Sequence, residues 1–167
     1  MRKNFLKAIG MAFSTLLVVA AVSPAVVSAG DNNKAQSQGG KRIVGTWEVH
    51  VSARSCQTGA EVRTFESLEQ FNTGGTMLDV TSGFAPGRQT PGTGVWRHLG
   101  GNTYSFTFKS FGFDVNGNFN GWTIVRHEVT LNPGGDEFTS EGTAEFYDAS
   151  GNLLFTGCSS NTATRFE

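Results

Sequence analysis

Few side chains in this 167-residue chain could do chemistry: three histidines, two cysteines and scattered carboxylates. His127 stands out among them. It lies between Val125 and Val129, in phase with Leu131 and out of phase with Arg126, Glu128 and Thr130, so a strand there turns the imidazole to the apolar side. A neutral imidazole so placed can hydrogen-bond a ligand carbonyl or carboxyl, or move a proton. It can equally be a buried histidine satisfied by a strand neighbour or by water. His50 falls on the polar phase of its own stretch and His98 sits beside a turn, while Glu66 is a carboxylate that could serve proton transfer.

Other constellations fail on chemistry. Asp114-Val115-Asn116-Gly117-Asn118 opens like a calcium loop, but Phe119 stands where that loop needs glycine and Val125 where it needs glutamate. His127-Glu128 opens a zinc-protease motif whose second histidine is here Leu131. Two cysteines and three separated histidines make no zinc spacing. The sequence therefore calls for no metal, no cofactor and no catalytic residue. Trp96, Trp122 and the phenylalanines read as core or interior lining rather than a base-stacking platform, because no basic groove accompanies them.

The elements that must position these residues begin after an export segment. Arg2, Lys3 and Lys7 make a basic start, an apolar run from Ile9 to Val22 follows, and Val27-Ser28-Ala29 offers small residues ahead of a cut before Gly30. The run is shorter than the roughly 20 apolar residues of a membrane span, so residues 1–29 are expected to be a signal peptide that leaves no integral span after processing. The expected destination is secreted or periplasmic. Processing would take three positive charges and no negative ones from a chain of formal charge −1. The acidic balance that results disfavours nucleic acid and anionic lipid as partners. Residues 30–42 are polar and Gly/Gln/Asn-rich, a flexible leader. Residues 43–167 are enough for one domain.

From Ile43 onward the dominant period is two. Strands are expected from Ile43, over Val62 to Phe71, Thr76 to Ser82, Gly94 to Leu99, Thr103 to Asp114, Phe119 to Leu131 and Glu137 to Tyr147, with a last strand or strand pair over Asn152 to Phe166. Asn/Gly clusters supply the tight turns. Residues Gly83 to Thr93, with Pro86 and Pro91, are expected to form the longest loop and to pair in no ladder. About eight strands joined by mostly short turns, with no helical period, predict an all-β fold: a single antiparallel up-and-down β-barrel.

Closure makes a prediction about the cysteines. Opposed residues of paired antiparallel strands have nearly constant residue-number sums, and the sums for Trp47 with Arg165 and for Cys56 with Cys158 differ only by two. One register with a small slip serves both pairs. Two cysteines in an exported chain also favour a bond on compartment grounds, so Cys56–Cys158 is the expected disulfide.

Gly45-Thr46-Trp47 on the first strand, with Arg165 near the end, resembles the lipocalin and wider calycin pattern, in which a G-x-W tryptophan at the closed end is covered by a late arginine. The resemblance implies a structural trio of Gly45, Trp47 and Arg165, with the guanidinium stacked on the indole, a contact worth about 0.5–2 kcal/mol. A T-D-Y motif and a late helix, common in lipocalins, are not evident; allene oxide cyclase-like and dirigent-like barrels are the alternative resemblances.

Inside such a barrel the phase of residues 137–147 brings Phe138, Ser140, Gly142, Ala144 and Phe146 inward, facing the rings of Tyr104, Phe106 and Phe108. The small middle residues leave room for one small ligand. The expected function is binding of a small apolar molecule near the open end, under the Gly83 to Thr93 loop, with His127, Tyr104, Phe106, Phe108, Phe138 and Phe146 around it. A cyclase or isomerase using His127 or Glu66, and a non-catalytic envelope module with a filled barrel, are the other readings.

Overall fold

Alternating apolar and polar residues, broken wherever Asn, Asp and Gly cluster, fold into eight strands: β1 (Gly45–Arg54), β2 (Glu61–Phe71), β3 (Thr76–Thr81), β4 (Gly92–Gly100), β5 (Thr103–Phe113), β6 (Phe119–Leu131), β7 (Glu137–Asp148) and β8 (Leu153–Arg165). The computed structural model describes residues 42–166. The expected signal peptide and all but the last residue of the expected leader lie outside the described residues. Each strand pairs antiparallel with the next, and β8 pairs with β1, so the sheet is a closed up-and-down barrel. The fold is all-β, with no helix among the described residues.

Side chains fix the hairpin turns. Asp114 Oδ1 accepts the backbone N–H groups of Asn116 and Asn118 at 2.8 Å, and Asp148 Oδ1 accepts those of Ser150 and Asn152 at 2.9 Å. This is the turn chemistry that short Asx side chains favour. The 114–118 segment is thus a hairpin, not an ion loop.

The last segment, expected as one strand or a strand pair, is one strand. One element departs from expectation. The 83–93 segment is partly laddered: β4 begins at Gly92, opposite Asp79, and Gln89 bridges to Gly112. Proline ends the irregular part at Pro91, and Gly92 then fits because it has no side chain. A Cβ there would lie 2.5 Å from Phe108 Cδ2.

At one end of the barrel Arg165 lies over the Trp47 indole, with its guanidinium carbon 4.3 Å from the ring centroid. It donates to the carbonyls of Val44 at 2.9 Å, Arg42 at 2.7 Å and Gly135 at 2.7 Å. Trp47 is fully buried and donates its Nε1–H to the Ile43 carbonyl at 2.9 Å. Arg42, at the end of the expected leader, also belongs to this floor, because its guanidinium donates to Asn102 and to the carbonyls of Asn132 and Pro133. Gly45 is required here for two reasons. Its φ is +139°, and a Cβ would meet Arg165 Nη1 at 2.5 Å.

Trp47 faces Arg165 across β1 and β8, and seven residues further on Arg54 faces Cys158. Just beyond, Cys56 reaches across and bonds Cys158, with Cα atoms 5.0 Å apart. The clamp and the disulfide therefore tie the same seam at its opposite ends.

Substitution Gly45→Ala should destabilise the protein by about 1–3 kcal/mol, the cost of forcing a side chain into that backbone region. Arg165→Ala should cost on the order of 3 kcal/mol by leaving carbonyls unpaired, and Arg165→Lys should recover little because an ammonium has no planar fork. Urea unfolding of the three variants checks both statements.

Candidate functional site

The interior is built in levels. Nearest the Trp47 end the barrel is filled: Trp47 packs on Phe138 at 4.9 Å between ring centroids, Phe71 packs on Phe106 at 5.9 Å and on Phe138 at 6.2 Å, and Trp96 meets Tyr104 at 6.1 Å. All of these rings are buried. Above them lies a belt of buried polar side chains that includes Ser67, Glu69, Asp79, His127, Ser140 and Asn161. Beyond the belt the barrel is hollow.

The hollow has a volume of about 760 Å³ and opens between the β1–β2 and β3–β4 connections, within the roughly 300–1,000 Å³ range of small-molecule sites. Its walls include Val51, Phe65, Phe108, Val125, Ala144 and Phe146, and Phe84 and Gln89 of the β3–β4 loop stand over it. The Cys56–Cys158 bond lies in its rim.

His127 forms part of the wall and is 4% exposed. Its Nδ1 is 2.9 Å from Ser140 Oγ and its Nε2 is 2.8 Å from Ser159 Oγ, while Phe106 stacks on the ring at 5.2 Å. One ring N–H donates and the bare nitrogen accepts a serine hydroxyl, an arrangement that suits the neutral imidazole. Burial lowers its pKa to about 4. Gly142 makes the position possible, since a Cβ there would come 2.5 Å from His127 Cδ2.

Of the six side chains expected around a ligand, His127, Phe108 and Phe146 line the hollow. Tyr104, Phe106 and Phe138 lie lower, in or beside the filled floor, because the register sets Tyr104 opposite Val129, Phe106 opposite His127 and Phe138 opposite Leu131. Glu66 needs a correction. It projects from the outer face of β2, where Glu66 Oε1 lies 2.7 Å from His50 Nδ1, because the inward phase of that strand belongs to Ser67, Glu69 and Phe71. It cannot move a proton inside the barrel.

The carboxyls that do face inward are Glu69 and Asp79, directly opposed on β2 and β3. Ser67 Oγ hydrogen-bonds Asp79 Oδ1. Burial raises the Asp79 pKa to about 6, with the serine hydrogen bond pulling the other way. Burial, and then the neighbouring Asp79 charge, hold Glu69 well above the usual carboxylate range. Glu69 Oε2 has no hydrogen-bond partner. Among the described residues, no group of three or more His, Cys, Asp and Glu side chains is placed to hold a metal ion.

The class defined by this geometry is a small, closed, eight-stranded antiparallel barrel, consistent with a calycin-like barrel, hollow at one end and sealed at the other. The sequence matches no protein-family model and no curated protein. Among solved structures it is similar to that of Rv2717c from M. tuberculosis at 11% identity, covering 78% of this chain and 96% of that one with a TM-score of 0.39, a likeness too slight to indicate a function.

The titration has a measurable consequence. A carboxyl whose folded-state pKa is raised contributes stability below its unfolded pKa and loses it as pH rises through the folded value. Asp79 moves from 3.8 to about 6, so Asp79→Asn should melt higher than the parent above pH 7, by an amount equivalent to about 2–3 kcal/mol. The gain should vanish near pH 4. Thermal melts of both proteins from pH 4 to 8 check the sign and the window.

Proposed function

We propose that this protein is an exported binding protein that holds one small, largely apolar molecule in the hollow end of its barrel. The observation that carries this reading is the division of the interior. Rings pack the barrel around Trp47, yet toward the other end the same strands turn Val51, Ala144, Gly157 and Val125 inward and leave a hollow of about 760 Å³. An apolar hollow of that size is a weakness in a protein that binds nothing, since unfilled volume costs packing energy. The rim disulfide suits a protein working in an oxidising compartment.

Proton transfer at His127 has less support, because both ring nitrogens are engaged by serines and the imidazole stays neutral near pH 7. His127 then serves as a polar wall that can still trade a serine hydrogen bond for one from a ligand.

Native mass spectrometry of the processed protein from its own host, followed by solvent extraction, should release a stoichiometric small molecule. If the protein is empty and also binds no fluorescent apolar probe, the binding reading fails and a structural module takes its place.

A further inference from the structure

The hollow is not uniformly apolar, and the buried side-chain atoms of its lining residues that lack a hydrogen-bond partner are all oxygens. Glu69 Oε2, Asn161 Oδ1 and Gln89 Oε1 have no partner, and all three residues line it. Glu69 is 2% exposed and Asn161 5%. Each of these atoms is an acceptor when the carboxyl is ionised, and buried polar atoms in native proteins are nearly always paired. A ligand seated in the hollow would supply such a partner.

A group with several donors and no acceptor matches such a wall, and an ammonium is that group. Charge points the same way. Glu69 and Asp79 stand opposite each other, and no cation among the described residues pairs with them, since the ion pairs there are His50–Glu66 and Arg126–Glu145 on the outer face. The other titratable or charged side chains bordering the hollow are His127, Arg54 and Arg63. His127 is neutral near pH 7. Arg63 donates to the Gly83 carbonyl at 2.8 Å and lies over the rings of Phe65 and Phe84, while Arg54 donates to Ser160 Oγ at 2.9 Å. Both arginines are thereby held at the rim.

We propose that the ligand is an amphiphilic amine, its ammonium seated between Glu69 and Asp79 and its apolar body lying along Phe65, Phe108, Val125 and Phe146. This rests on the binding reading above and names the chemical class of its ligand. A bound ammonium favours both carboxylates in their ionised form, so affinity rises as pH goes from 5 to 8.

Calorimetry with a matched series separates the two claims: 4-phenylbutylamine, 4-phenylbutanol and 4-phenylbutyrate share a body and differ only in the head. The amine should bind about tenfold more tightly than the alcohol, as expected for charge-assisted hydrogen bonds, and the acid should bind worst. Glu69→Gln and Asp79→Asn should each erase the preference for the amine over the alcohol, and circular dichroism reports that the variants are folded. Equal affinity for amine and alcohol, a preference for the acid, or saturable binding of calcium chloride alone that Glu69→Gln abolishes would overturn the amine assignment and leave the apolar hollow standing. Failure of all three compounds and of an apolar fluorescent probe would remove both readings.

Discussion

The contact on which the structure depends is the clamp of Arg165 on Trp47. An eight-stranded sheet has two free edges until its first and last strands meet, and free edges invite pairing with other chains. Arg165 stacks on the indole and donates to the carbonyls of Arg42, Val44 and Gly135, so one side chain joins the entry of β1, the end of β8 and the β6–β7 turn. Once Trp47 is opposite Arg165, the period of two determines every inward position along the seam. The same register brings Arg54 opposite Cys158 and so delivers Cys56 to its disulfide.

Sealing one end with rings has an energetic counterpart at the other. Large apolar side chains are concentrated below His127, and the fold carries above them a belt with two facing carboxyls whose ionisation is opposed by burial. Such groups oppose stability at neutral pH unless something neutralises them. Under the binding function proposed above, their presence is a trade of stability for a site. The closed end, which needs no ligand, has its polar atoms served by Arg42 and Arg165 instead.

Much of this was legible in the sequence, and the misses have physical causes. Strand positions followed from alternation and Asn/Gly turns, and the inward phase of His127 followed from Val125, Val129 and Leu131 on the same side. Glu69 and Asp79 were missed because their strands carry conflicting signals. On β2, Leu68 sits on the outer phase and Glu69 on the inner one, so polarity alone points the wrong way. The rings of Phe65 and Phe71, which share the phase of Glu69, were the usable cue. Glu66, the carboxylate named from the sequence, has the opposite phase, and its partner is His50 on the outer surface. The split of the rings between floor and hollow could not be read from alternation, which tells in from out but not height along the barrel axis. Height depends on stagger between neighbouring strands, and that is a property of the closed sheet.

The most direct measurement is carboxyl-detected NMR titration of Glu69 and Asp79 in the ligand-free protein. Two carboxyls that face each other across a buried wall should titrate together, both well above exposed acids such as Asp114, with Asp79 pushed up to about 6. If instead both titrate independently near 4, as ordinary solvated acids do, the belt is open to water, and the division of the barrel into a sealed floor and a ligand-ready hollow is wrong.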